Sequence, residues 1–189
     1  MHQLKCKCGA LRGQIDSSGI SSRISCYCSD CRAFAHYLGG DGIIDSQGGT
    51  EILQMAQQHL SISQGQEHLA IVRLSEKGLF RWYASCCNTP IGNTLSNPKL
   101  CFVGIAHACL DRSKMDADFG KDIAIVNVNT ALGEPKPKQS GLAGVLFRFA
   151  GILLSGRIGG KYKHSPLFTA DGEPIVIPMV LSVKERASL

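Results

Sequence analysis

Apolar and polar positions alternate in short runs along most of the first 130 residues, and few stretches keep a helical period. Leu4 to Ile15 alternates loosely around Cys6-Lys7-Cys8-Gly9, which predicts two short strands joined by a thiol-bearing turn. Ile24 to Cys26 predicts a strand. Ser29 or Asp30 then has the chemistry to cap a helical turn through Arg32, Ala33, Phe34 and His36, ended by Gly39-Gly40-Asp41-Gly42. Residues 43–83 read as a β-meander, with strands at Ile43-Ile44, Ile52-Leu53, His59–Ser63, Leu69–Leu74 and Leu79–Tyr83. Glycine-containing turns punctuate it at Gly48-Gly49, Gly65 and Lys77-Gly78. Further strands are expected at Ile91–Leu95, Leu100–Ala106 and Ile123–Val128, with a short helix or turn at Asp111–Phe119.

The pattern changes after residue 133. Glu134-Pro135-Lys136-Pro137-Lys138 reads as an extended hinge, because proline fixes its own φ and restrains the residue before it. Leu142, Val145, Leu146, Phe149, Ile152 and Leu153 then follow helical spacing. The apolar run 142–154 is broken by Arg148 and is shorter than the ~20 residues a bilayer span needs. A helix docked on the preceding domain is therefore expected, with a helix at a membrane interface as the alternative. One strand is expected at Ile175–Val183. The chain thus divides into a mainly-β domain over 1–133, built of short antiparallel strands, and a segment over 134–189 of hinge, helix and tail packed on it.

Composition narrows the class. A hydrophobic content of 44% over 189 residues suits a globular chain with a core of its own. Of the net charge of +5, all is local to 134–164, where Lys136, Lys138, Arg148, Arg157, Lys161 and Lys163 face one acid, Glu134. That is too little for a dedicated nucleic-acid binder. Met1-His2-Gln3-Leu4-Lys5 lacks the apolar stretch of a secretory leader, which predicts a cytoplasmic protein whose nine cysteines are reduced.

Clustered reduced cysteines read as metal ligands. Cys26-Tyr27-Cys28-Ser29-Asp30-Cys31 places three thiols as C-x-C-x-x-C. Zinc is tetrahedral, so three sulfurs from one loop leave one position over. A protein ligand there would make the site structural; water or an exogenous thiol would make it catalytic. Arg32 and His36 are the candidate substrate-binding residues by proximity, and Arg32 suits a carboxylate. Cys101 and Cys109 read as small buried hydrophobes.

The succession Cys6-x-Cys8-Gly9-Ala10, Cys26-x-Cys28-Ser29-x-Cys31-Arg32 and Gly78-x-x-Arg81-x-Tyr83 leading to Cys87-Asn88-Thr89-Pro90 resembles the glutathione-dependent formaldehyde-activating enzyme family over about residues 3–110. The resemblance implies a β-tent fold, stapled by zinc, which that family shares with a small zinc protein that acts on Rab GTPases. It implies a structural zinc on Cys6, Cys8 and Cys87, and a catalytic zinc on Cys26, Cys28 and Cys31. It also implies carbon–sulfur lyase chemistry on a glutathione adduct of a small aldehyde. The first cysteine of the family's late pair would stand at Ala84, and its glycine at Asn88. Cys86 is the thiol available to complete that site, provided the chain turns sharply, since strand neighbours point to opposite faces. One or two zinc ions per chain are expected, with a small thiol such as glutathione as partner. The competing reading is a non-catalytic zinc module that binds a protein or a membrane surface.

Overall fold

The structure, a computed structural model, describes residues 1–40 and 42–189. In chain order its elements are β1 (His2–Lys5), β2 (Arg12–Ile15), β3 (Ser22–Cys26), α1 (Ser29–Tyr37), β4 (Thr50–Ala56), β5 (Leu60–Gln64), β6 (Leu69–Arg73), β7 (Phe80–Ala84), β8 (Thr89–Thr94), β9 (Phe102–Ala106), α2 (Met115–Phe119), β10 (Ile123–Val126), α3 (Leu142–Arg157), β11 (Met179–Val180) and α4 (Val183–Ala187). The protein is mainly β, with these eleven strands in two sheets. A three-stranded sheet has the order β1-β2-β5, and an eight-stranded sheet the order β10-β3-β4-β9-β8-β7-β6-β11.

Side-chain alternation assigns the two faces of the large sheet. Leu53, Met55, Ile71, Trp82, Ile91, Val103 and Ile105 join Leu4 and Ile15 of the small sheet, and Leu11 of its first turn, in the main core. The other face carries Ile24, Cys26, Ile52, Gly104, Asn93 and Arg81, in register across β3, β4, β9, β8 and β7. Helices cover this second face. Val145 of α3 packs on Ile24, Cys26, Ile52 and Val126, and Ile152 on Ala56, Cys101 and Phe102. Gly156 lets α3 ride directly on Cys101, since a Cβ there would lie 1.8 Å from its Sγ. Phe34 of α1 packs with Val72, Leu74 and Leu181.

Several expected elements differ in the structure. Ile43-Ile44 is a turn and not a strand. The strand expected at Ile175–Val183 shrinks to Met179–Val180, and Val183 opens α4, capped reciprocally by Ser182 and Glu185. The strand from Ile123 stops at Val126, because Asn127 takes a left-handed conformation with φ 59°. The pairings β10–β3 and β11–β6 are parallel and the rest antiparallel. Both parallel partners come from later in the chain and reach an outer edge of the sheet by crossover. Helix α1 is capped by neither Ser29 nor Asp30. Its N-cap is Cys28, whose sulfur accepts the Cys31 N–H. It ends at Tyr37 with Leu38 as its C-cap, and Gly39 and Gly40 beyond take positive φ. Asp41, expected in that stop, lies outside the described residues.

Gly92 is needed for the close approach of β8 to β9: a Cβ there would sit 2.6 Å from the Gly104 carbonyl oxygen. Gly92→Ala should cost about 1–3 kcal/mol, read as a lower urea midpoint with unchanged slope.

Candidate metal centre

The β1–β2 turn brings Cys6 and Cys8 together, and Gly9 beyond them takes φ 78°. The chain folds back so that the Leu11 N–H points at the Cys6 sulfur, 3.3 Å away. The β7–β8 turn carries Cys86 and Cys87. Asn88 closes this turn with φ 51°, which lets both neighbouring thiols face one side. Lys7 N–H donates to Thr89 Oγ1 at 2.9 Å and joins the two turns. The four sulfurs form one group. Cys6 and Cys8 are 3.5 Å apart, Cys8 and Cys86 3.4 Å, Cys6 and Cys86 3.8 Å, and Cys86 and Cys87 3.8 Å.

The second group is Cys26, Cys28 and Cys31, whose sulfurs lie within 4.8 Å of one another. Among the described residues no other Cys, His, Asp or Glu joins them. Cys26 ends β3, Cys28 caps α1 and Cys31 lies in its first turn, so the strand-to-helix transition makes the cup. A distant segment braces it. Asn127 Nδ2 donates to the Cys26 sulfur at 3.2 Å, and Thr130 Oγ1 donates to the Tyr27 carbonyl at 2.8 Å.

Protonation follows from this crowding. Hydrogen bonds from Cys26 and Cys31, with the Cys31 N–H and the Arg81 charge adding to them, hold the Cys28 thiol down at about 2. The Cys28 thiolate in turn pushes Cys26 up, and hydrogen bonding to both neighbours, together with burial, pushes Cys31 well above the ordinary thiol range. In the first group burial opposes ionisation of Cys87, yet hydrogen bonds from Thr89 and Cys8 bring it to about 6. Burial and the hydrogen bond to Cys8 push Cys86 up. In the second group the Cys28 sulfur thus opposes ionisation of Cys26 and Cys31. A metal ion removes that repulsion and ionises them all. Both donor sets therefore fit a thiolate-binding metal.

In front of Cys26, Cys28 and Cys31 lies a cavity of about 260 Å³, lined also by Ile52, Gln54, Arg81, Asn93, Phe102 and Asn127. Arg81 is buried. Its guanidinium lies 5.5 Å from the Phe34 ring centre, donates to Asn93 Oδ1 at 3.3 Å and stands 3.7 Å from Asp30.

The two candidate substrate-binding residues lie elsewhere. Arg32 donates to the Thr130 carbonyl at 2.8 Å, pinning α1 to the segment after β10, and does not line the cavity. His36 is exposed at the far end of α1 and does not line it either. A helix rotates 100° per residue, so Arg32 and His36 turn away from the side that Cys31 presents to the cup. Asp30, expected as a cap, pairs with Arg81 and with Arg186 of α4 at 2.7 Å. No basic side chain of 134–164 lines the cavity. Asn93 and Asn127 are not singled out in the sequence, and Arg81 stands there only in the Gly78-x-x-Arg81-x-Tyr83 motif with no site role. A charged residue in an otherwise apolar strand, Phe80-Arg81-Trp82, was the available signal for Arg81.

Fold and site define a mainly-β protein with two cysteine groups able to hold metal ions. The chain belongs to a family of unknown function, DUF6151, which matches residues 1–177 and so includes α3. No curated protein matches it. A crystal structure of a Rhodobacter sphaeroides protein is similar over 66% of this chain and 99% of its own, with 20% identity and a TM-score of 0.45.

Cys86→Ser should lose one metal equivalent per chain and lower the melting temperature, because metal affinity is folding free energy. Cys101→Ser is the control, since Cys101 is buried against the Ile152 carbonyl and belongs to neither group. Elemental analysis beside thermal unfolding checks both.

Proposed function

We propose that this protein is a zinc-dependent carbon–sulfur lyase acting on the adduct of a small thiol, such as glutathione, with a small aldehyde. Cys26, Cys28 and Cys31 hold the zinc used in the reaction, and Cys6, Cys8, Cys86 and Cys87 hold a structural one. The observation that carries this reading is the three-thiol cup opening onto a cavity beside the buried Arg81. Geometry supports the metal: sulfurs at 2.3 Å from a tetrahedral zinc lie about 3.8 Å apart, close to the 3.4–3.8 Å separations of the four-thiol group. All-thiolate sets suit zinc among common cellular cations, and free thiols suit a reducing compartment such as the cytoplasm.

Zinc, when bound, supplies a cation that favours sulfur as thiolate. In such a hemithioacetal the C–S bond breaks, sulfur keeps the electron pair, and the carbinol carbon becomes a carbonyl as its hydroxyl loses a proton. Among the described residues Asp30 is the one carboxylate lining the cavity, and it takes that proton. Arg81 and the Asn93 amide orient the substrate's polar groups, a carboxylate being the natural partner of a guanidinium. Ile24, Ile52, Leu79 and Phe102 exclude water around them. Asn127 keeps Cys26 aimed into the cup.

Isothermal titration of the zinc-loaded chain with glutathione and its hydroxymethyl adduct, beside zinc absorption spectroscopy, tests the reading. A sulfur ligand should enter the zinc shell on titration. Gly104→Val puts side-chain volume into the cavity, where an added Cβ already meets Ile52 at 2.9 Å. It should weaken thiol binding about tenfold or more while leaving zinc content unchanged. Arg81→Gln should weaken the adduct by ~1.5–3 kcal/mol, the worth of a charged hydrogen bond. Four protein ligands on both zincs, unperturbed by thiol, would replace the lyase with a non-catalytic zinc module.

A further inference from the structure

Helix α3 is apolar nearly all round, yet only one side of it is covered. Val145, Ile152 and Gly156 face the sheet and are buried. The opposite side presents Phe147 at 83% exposure, Leu154 and Ile158 at 62% each, and Leu146 at 59%, with Ala143 and Ala150 between them. At 100° per residue the positions within α3 form one continuous stripe, and Ile158 stands at its end as the C-cap. Ile20, 45% exposed, extends it, since its Cδ1 lies 3.1 Å from where a Cβ on Gly151 would be. A helix apolar on every face is normally buried on every face. A contiguous exposed apolar surface of this kind marks an interaction site.

Charge identifies what covers it. Arg148 flanks the stripe, Arg157 stands at its C-terminal end, and Lys161, Lys163 and His164 follow; all five are exposed. Lys136 and Lys138 precede it and are exposed as well. No acidic residue occurs between Glu134 and Asp171. A second copy docked face to face would bring two basic rims together and is disfavoured by their repulsion. An anionic lipid surface supplies both missing partners, acyl chains for the stripe and headgroup phosphates for the rim. The helix has 16 residues, about 24 Å at 1.5 Å per residue, and no helix of the described residues is long and apolar enough to cross a membrane. It can therefore lie in the interface without spanning it.

We infer that α3 is a membrane-interface element that docks this protein on anionic lipid, with Phe147, Leu154 and Ile158 inserted and Arg157, Lys161 and Lys163 on the headgroups. The inference is independent of the metal chemistry, because none of these residues lines the thiol cavity.

The test is vesicle flotation with the metal-loaded full chain, using phosphatidylcholine alone and phosphatidylcholine mixed with phosphatidylserine. Mixed vesicles should bind about tenfold or more tightly than neutral ones at low salt, and the difference should shrink as salt is raised. Phe147→Glu combined with Leu154→Glu should abolish binding, and Lys161→Glu with Lys163→Glu should remove the preference for anionic lipid. Equal melting temperatures establish that these exposed substitutions leave the fold intact. Phe147→Trp should shift its emission to the blue on adding mixed vesicles, while Trp82 is buried and should not respond. Equal binding to both vesicle types, no binding to either, or binding that survives the double glutamate variant would overturn the inference. So would a stable dimer, without lipid binding, that Phe147→Glu dissociates.

Discussion

Seven thiols crowded into two groups impose the main constraint on this molecule. Sulfurs 3.4–3.8 Å apart cannot all ionise unless a cation sits among them. Much of the local backbone serves to hold them in that unfavourable arrangement. The Leu11 and Cys31 amides point at sulfur, and the two thiol-bearing turns are joined through Lys7 and Thr89. The first group ties β1–β2 to β7–β8, elements of different sheets, so a metal there would hold the sheets together at one end.

The second group works differently, because its three ligands come from one strand end and one helix start. It closes a short stretch of chain and leaves space in front. Arg81 fills the border of that space. A buried guanidinium is costly unless its charge and N–H groups find partners, and here Phe34, Asn93 and Asp30 supply them from α1 and β8. Asp30 is shared with Arg186, so the last helix of the chain is connected electrostatically to the edge of the thiol cup. The Arg81–Asp30 approach, at 3.7 Å, is looser than a direct charged hydrogen bond of about 2.7–2.9 Å.

Helix α3 carries a second tension. It covers the sheet face beside the cup through Val145 and Ile152, and the same sequence leaves Phe147 and Leu154 facing outwards. Because both sides are apolar, periodicity marks the helix but does not say which side the protein itself buries.

Features that depend on near neighbours are legible along the chain. C-x-C and C-x-x-C spacings announce thiol clusters because ligands within one turn must converge. Alternating short runs announce a mainly-β chain, and Asn88 after Cys86-Cys87 allowed the turn that puts both thiols on one side. Tertiary structure decided what depends on distant partners. Asn127 reaches Cys26 across 101 positions of chain. Arg32, next to the motif in sequence, is rotated away to Thr130, while Arg81, fifty residues on from Cys31, meets the cup because β7 lies in register with β8 beneath it. Helix rotation and strand register place side chains in space, and neither is expressed in how close two residues stand along the chain.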